Sequence, residues 1–410
     1  MEDYLNVTGS FILIILYARG NNMKVKYSGK KLLTLASLTL LTAMPQAYAV
    51  ADPVVLTFAT VGDSREEPSS KTLTAQDKIW LQNSRAWSRI IRTIQTQKPG
   101  LLFFNGDMIM GYGNADPELV TAANVASSDF YRYGQQYAFW RGMVTSLQET
   151  GTYVVPVPGN HETQSKPAGK KSQIANENAW RANMGDLIID KSRFPFETAN
   201  LNFSGDSSDP KIVDPTVVDG LTTSQKQLSY SFDVVDSHFV VINTDPVGRD
   251  GFAPTAWLGN DLASASSRGQ KHYFVFGHKP AAPYVYKNGV TPNGMDATSA
   301  AQFWSLIEHY NATYFCGHEH IFNLSKPTFT SDAVTVGGHA YQVIVGSGGS
   351  PFDASAADIT AGVTFNPKTD RTYAWATVHV HKSGLVDVDV YGFSDSFGPT
   401  SLIKSITLKQ

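Results

Sequence analysis

Five apolar runs in this chain each end on a glycine followed at once by a chemically active side chain. The endings are Gly62-Asp63-Ser64-Arg65, Gly106-Asp107, Gly159-Asn160-His161-Glu162, Gly277-His278 and Gly317-His318-Glu319-His320. Short runs rich in β-branched and aromatic residues, punctuated by Gly or Pro, read as buried strands. Such runs occupy 54–61, 101–105, 153–157, 239–243, 273–276, 314–316 and 341–345. Between them, Trp80, Trp87, Ile91 and Ile94 recur at helical spacing over 76–97, where Lys98-Pro99-Gly100 stops the segment. A second helix is predicted over 299–309, with Phe303, Leu306 and Ile307 on one side. Strands alternating with helices predict an α/β layered domain, and ligands in such sheets gather beyond the strand carboxyl ends. All five polar endings lie there.

Near the carboxyl terminus, 373–382 and 386–393 are joined around Ser383-Gly384 and carry alternating valines, Val378/Val380 and Val386/Val388/Val390. This pattern predicts a β-hairpin with one buried face. His379 and His381 then point the other way, as surface or packing residues.

The 410 residues are 42% hydrophobic, enough for a large core, and length allows one domain or two. We expect a single domain over 50–410, with polar insertions near 114–128 and 163–219. Loops close to a site commonly decide which substrate enters. With 33 basic against 36 acidic residues, the chain lacks the basic surplus of a nucleic-acid binder. An anionic ligand therefore has to be held by local cations.

Residues 1–49 read as a leader. Lys24, Lys26, Lys30 and Lys31 precede the apolar segment 32–41, then Pro45 and Ala47-Tyr48-Ala49. These are the parts of a secretory signal cut after Ala49, with Met23 as its start. The segment falls short of the ~20 residues needed to span a bilayer. The expectation is a secreted or periplasmic protein with no stable membrane anchor after cleavage. Cys316 is the only cysteine, which excludes an internal disulfide and suits a buried core thiol.

The carboxylates of Asp63 and Asp107, the amide of Asn160 and the imidazoles of His278, His318 and His320 form a mixed oxygen and nitrogen donor set. Such donors suit Mn, Fe or Zn. Two ions about 3.5–4 Å apart can clamp the attacking and leaving oxygens of a phosphoryl transfer. On an extended backbone His318 and His320 share a face. Gly-Asp and Gly-Asn pairs are also common turn chemistry, which accounts for one or two of the endings but not for the ordered set.

That ordered series, GD, GDxx, GNHE, GH and GHxH from Asp63 to His320, resembles the calcineurin-like metallophosphoesterase family, on its purple acid phosphatase-like branch. Tyr230-Ser231-Phe232-Asp233, the segment 257–262 and the glycine-rich 346–350 fit the same resemblance. The resemblance implies a layered αββα sandwich of mixed β-sheets flanked by helices, with a dimetal site at the strand carboxyl ends. It implies a metal-dependent phosphoric ester hydrolase that uses two divalent or trivalent ions on a small phosphorylated substrate, with monoesters favoured. Asp107 would bridge the ions, Asp63 and His320 would complete the first, and Asn160, His278 and His318 the second. His161 would lie near the phosphate and stabilise it or protonate the leaving oxygen, while metal-activated hydroxide attacks in line. A phosphodiesterase or nucleotidase on the same site is one alternative. A degenerate, non-catalytic metal-binding module is another.

Two positions depart from the family pattern. Many members carry a histidine ligand two residues after the first aspartate; here that residue is Arg65, which has no lone pair to donate. The purple acid phosphatases use a tyrosine three residues after the second aspartate; here that residue is Met110, and the nearest tyrosine is Tyr112. The first metal then lacks a ligand, borrows Tyr112 or binds more weakly than the second. Arg65 either holds the substrate phosphate through its guanidinium fork or pairs at a strand end. Tyr112 is a ligand or a lining aromatic, and Glu162 orients its neighbour or an inserted loop. His238, His272, His309 and His339 are expected to be packing or surface residues. Asn243-Thr244-Asp245 ends another apolar run and is expected to support the site from behind.

Overall fold

The computed structural model describes residues 52–69, 77–188, 216–284, 294–331, 334–352 and 372–409. The expected leader, 1–49, lies outside the described residues, as does the stretch 189–215 of the second expected insertion. In chain order the first strands are β1 (Val54–Val61), β2 (Leu101–Phe104), β3 (Tyr153–Pro156), β4 (Gln164–Ser165), β5 (Lys171–Ser172), β6 (Tyr230–Val234), β7 (Ser237–Val241) and β8 (His272–Phe276). They are followed by β9 (Thr313–Cys316), β10 (Phe322–Ser325), β11 (Thr328–Ser331), β12 (Val334–Gly337), β13 (Gln342–Val345), β14 (Tyr373–His381), β15 (Val386–Phe393) and β16 (Ser401–Lys409). The helices are α1 (Asp77–Trp80), α2 (Ser84–Gln97), α3 (Asp129–Glu149), α4 (Asn160–Thr163), α5 (Ile174–Met184), α6 (Thr255–Ser267) and α7 (Ala297–His309). Among the described residues no helix is long and apolar enough to cross a membrane.

Two six-stranded mixed sheets result. The first has the order β16-β15-β14-β1-β2-β3, with β1, β2 and β3 parallel and β14, β15 and β16 joined antiparallel. The second has the order β10-β13-β9-β8-β7-β6, with a parallel centre and antiparallel edges.

Period-two alternation within the strands stacks the layers. Phe58, Phe103 and Val155 of the first sheet meet Phe232, Phe239, Phe276 and Phe315 of the second in one apolar core. Phe103 stacks on Phe276 with ring centroids 3.7 Å apart. The alternate residues face outward. Val61, Leu102 and Phe104 pack with Trp87 and Ile94 of α2 and with Tyr137 and Trp140 of α3. On the other side, Val240, Val275 and Tyr314 pack with Trp257 of α6 and with Phe303 and Trp304 of α7. The molecule is the expected αββα sandwich, and buried Cys316 lies in its outer layer on that second side.

Four features differ from the sequence reading. The helix expected over 76–97 is broken into α1 and α2 at Leu81, whose φ is 52°. The Asn83 side chain caps α2 by accepting from Ala86 N at 3.1 Å, and Gln82 turns away to accept the Ser64 hydroxyl at 3.0 Å. Within the stretch read as a polar insertion, α5 forms, and Trp180 is fully buried against Tyr137. The carboxyl-terminal hairpin is a three-stranded meander, because β16 pairs along β15. Strands β4, β5, β6, β10, β11 and β12 form outside the expected apolar runs. His379 and His381 do project away from the valines, beside Asp389 at 3.9 Å and Asp387 at 3.3 Å.

Candidate active site

The carboxyl ends of β1, β2 and β3 from one sheet, and of β8 and β9 from the other, converge on a single edge. Asp63 (φ 60°), Asp107 (φ 55°) and His318 (φ 72°) all adopt the left-handed backbone conformation there. For residues with a Cβ this conformation is uncommon and costs on the order of 1–3 kcal/mol, so it persists only where surrounding structure imposes it. Asp63 is imposed by Gly106 O, which accepts its N–H at 2.9 Å, and by Ser350 N, which donates to its carbonyl at 2.9 Å. Gly106 (φ 84°) is the crossing point of three turns. A Cβ on it would lie 2.5 Å from His278 Nδ1 and 2.7 Å from Gly159 Cα, so only glycine fits.

One group of donors forms a tight cluster. Asn160 Oδ1 is 2.8 Å from His278 Nε2 and 2.9 Å from His318 Nδ1. The two ring nitrogens are 3.2 Å apart, and His278 Nε2 is 3.1 Å from Asp107 Oδ1. His278 Nδ1 donates to Asn105 O at 2.7 Å, which leaves Nε2 with its lone pair facing inward. Burial pushes the His278 imidazole below its ordinary range, and burial with the neighbouring His278 ring, beside which a second positive charge is disfavoured, pushes His318 well below it. Lone pairs of a carboxylate, an amide oxygen and a neutral imidazole therefore face one another, an arrangement that a cation relieves. This donor set fits a divalent or trivalent metal. Asp63, Asp107 and His278 also offer ligand atoms that all lie within 4.8 Å of one another.

The other side is looser. His320 Nε2 lies 3.6 Å from Asp63 Oδ1, while its Nδ1 donates to Pro351 O at 2.6 Å. Arg65 is buried, and its Nε donates to Asp107 Oδ2 at 3.2 Å while Nη2 lies 3.4 Å from His320 Nε2. Burial alone would raise the Asp107 pKa, but His161, His278 and Arg65 hold this carboxyl well below the usual range. His161 Nδ1 donates to Met110 O at 2.5 Å, and its Nε2 stands 3.7 Å from Asp107 Oδ2. Burial and Arg65 keep that imidazole neutral. The Tyr112 ring packs on His161 with centroids 3.7 Å apart, and its hydroxyl accepts from Asn160 Nδ2.

The calcineurin-like phosphoesterase profile matches residues 57–322, about two thirds of the chain. The chain belongs to this family. Calcineurin-like phosphoesterases use a dinuclear metal site, and the buried Asp63, Asp107 and His278 group of this chain could hold a metal ion. Among solved structures it is similar to the purple acid phosphatase PPD1 isolated from yellow lupin (Lupinus luteus) seeds. That match has 14% identity and a TM-score of 0.52, and covers 87% of this chain and 54% of the lupin protein. The chain thus spans about half the length of that relative. It is also similar to a structure of PhoD, at 15% identity and a TM-score of 0.53, covering 87% of this chain and 70% of that one. At these identities the likeness is one of fold. No curated protein matches.

All eight residues singled out for this phosphoesterase, Asp63, Arg65, Asp107, Asn160, His161, His278, His318 and His320, meet at the one edge. Sequence reasoning left Glu162 without a definite role. Its Oε2 accepts from Asp107 N at 2.9 Å and Gly159 N at 2.8 Å, and its Oε1 from Met108 N at 2.8 Å and Ile109 N at 3.1 Å. One carboxylate thereby fastens the Asp107 turn to the Asn160 turn. Lys279 was also missed: beside His278, it is buried and its Nζ lies 2.5 Å from Asp245 Oδ1. Asp245 Oδ1 further accepts from Gly251 N at 3.0 Å and Gln164 Nε2 at 3.1 Å, so this run end does brace the site from behind. A charged residue directly after Gly-His was the available signal. Away from the edge, His238 is buried between Asp233 at 2.6 Å and Asp261 at 2.9 Å, and exposed His339 sits 3.3 Å from Glu308.

Proposed function

We propose that this phosphoesterase hydrolyses phosphate esters, monoesters in preference, at the edge where Asp63, Asp107, Asn160, His278, His318 and His320 meet. The observation that carries the reading is the inward-facing lone pairs of Asp107, Asn160 and His278, which need a cation and match the donor preference of Mn, Fe or Zn. Asn160, His278, His318 and Asp107 Oδ1 would hold one ion, and Asp63, His320 and Asp107 Oδ2 form a second position. Metal bound there supplies positive charge to the phosphate oxygens and lowers the pKa of water.

The chain's own groups supply the rest. A monoester dianion needs cations beyond a metal, and the buried Arg65 guanidinium is placed to donate to a phosphate oxygen. The hydrogen bond from Nδ1 to Met110 O fixes the His161 ring and leaves Nε2 on the Asp107 side, where a substrate phosphate would lie. A bound dianion favours protonation of that imidazole, and Nε2 then gives its proton to the departing oxygen. Export is proposed as well, on the pattern from Lys24 to Ala49; a mature amino terminus at Val50 in protein recovered from the producing cell would support it, and an intact leader would contradict it.

The test is hydrolysis of a chromogenic phosphate monoester and its matching diester by metal-stripped protein reloaded with Mn, Fe or Zn. Metal-restored turnover, faster on the monoester and lost in Asp107→Asn, supports the reading. Faster turnover of the diester would move the protein to the phosphodiesterases. Full metal loading with no turnover of either ester would leave a binding module.

A further inference from the structure

We infer that the two cation positions are unequal by construction: one is a preformed four-donor cage, and the other already holds the Arg65 guanidinium as its resident cation. The protein accordingly binds one metal ion tightly. This rests on the metal-dependent reading above and refines it.

The cage consists of Asn160 Oδ1, His278 Nε2, His318 Nδ1 and Asp107 Oδ1, with four neighbouring separations of 2.8, 2.9, 3.2 and 3.1 Å. Bonds of about 2.0–2.1 Å to a tetrahedral ion set donors roughly 3.3 Å apart, close to each of these four separations. Their outer atoms are already engaged, as in a supported metal site: His278 Nδ1 on Asn105 O, and Asn160 Nδ2 on the Tyr112 hydroxyl.

The neighbouring position has three donors, Asp63, His320 and Asp107 Oδ2, and the guanidinium lies against two of them. Arg65 Nε is 3.2 Å from Asp107 Oδ2 and Nη2 is 3.4 Å from His320 Nε2. The arginine is held from several directions. Nη1 donates to Glu67 Oε1 at 2.5 Å, Ser350 Oγ donates to the Arg65 carbonyl at 2.8 Å, and the side chain is only 7% exposed. A guanidinium does not give up its proton in a protein, so a metal here meets a fixed positive charge. Among the described residues, the Glu67 carboxylate near this position is paired with the guanidinium itself. The two positions where the family pattern has a further ligand carry Arg65 and Met110, which touch each other with Nη1 4.0 Å from Sδ, and the Tyr112 hydroxyl is turned to Asn160 on the cage side. Arg65 thus neutralises the outer oxygen of Asp107, as a second ion would, and its remaining N–H groups would be available to a phosphate oxygen bound beside it.

Metal content decides the matter without reference to turnover. Metal-stripped full-length protein is loaded with excess Zn²⁺, freed of loose metal by gel filtration and analysed by mass spectrometry, and a parallel Co²⁺ titration is followed by absorption. One ion per chain is expected, with any second ion binding roughly 10–100-fold more weakly. Arg65→His, checked for folding by circular dichroism, is expected to retain two. Two equally tight ions in the unmodified protein would overturn the inference and leave the metal-dependent reading standing. No retained ion at all would overturn that reading itself. An Arg65→His protein that folds yet keeps a single ion would show that the arginine is not what makes the positions unequal.

Discussion

Glu162 shows how much of this site depends on a side chain that touches neither metal position. Burial and the Asp107 charge push its carboxyl up to about 8, yet four backbone N–H groups point at its two oxygens, which favours the anion. Glu162→Gln sets an amide NH₂ against N–H donors. The expected cost is about 1–3 kcal/mol for buried donors left unpaired, read by urea denaturation, together with weaker metal retention; unchanged values for both would contradict the clamp. His238 carries a pH signature of its own. Burial lowers its pKa, but the hydrogen bonds it donates to Asp233 and Asp261 outweigh that and the folded value stands above the ordinary 6.5. Its contribution is therefore full below about pH 6.5 and lost as pH rises through the folded pKa. His238→Gln should depress Tm more at pH 6 than at pH 9, and an equal depression at both would count against the ion pair. The sequence identified Arg65 as a non-ligand and GNHE as a motif. The partners were not legible, because backbone N–H groups at Asp107–Ile109 leave no mark in residue identity.

At the scale of elements, legibility followed burial. Strands buried on both faces, such as β2 and β8, are continuous apolar runs and could be read directly. β16 could not, since Ser401-Leu402-Ile403-Lys404 is largely exposed and pairs through its backbone. The break between α1 and α2 was hidden because Trp80 and Trp87 keep helical spacing across it, whereas Asn83 and Gln82 decide it through hydrogen bonds. α5 escaped notice because its buried face mixes Trp180 and Met184 with Asn176 and Glu177. The small β4–β5 hairpin ahead of it is tied to the site by the Asp245–Lys279 pair and by Gln164. Asp245→Ala leaves a buried ammonium without its partner, which typically costs about 3–5 kcal/mol. Chemical denaturation should show a loss of that order, and a loss below about 1 kcal/mol, the range of a surface pair, would contradict this anchoring.

Across the whole molecule, the first sheet supplies Asp63, Asp107 and Asn160, and the second supplies His278, His318 and His320. The metal centre therefore spans the seam between the two sheets. An ion that binds only the folded chain adds about 4 kcal/mol when present at 1,000 times its Kd. Metal-stripped protein should melt at a lower temperature and recover on reloading; a Tm indifferent to metal would mean that the edge is not a metal centre. Fold and donor set were legible together because five endings in one order define both a sheet edge and its chemistry. The inequality of the two positions needed the coordinates, since it depends on where a guanidinium lies.

Turnover and metal content should be measured on the same samples as metal-stripped protein is titrated with Mn²⁺ or Zn²⁺ in the presence of a chromogenic phosphate monoester. Hydrolysis is expected to rise with the first equivalent of retained ion and to be lost at least a hundredfold in Asp107→Asn, in line with removal of a group that stabilises the transition state. Full metal retention without hydrolysis of the monoester or its diester, or undiminished hydrolysis by Asp107→Asn, would contradict a phosphoesterase built on this edge.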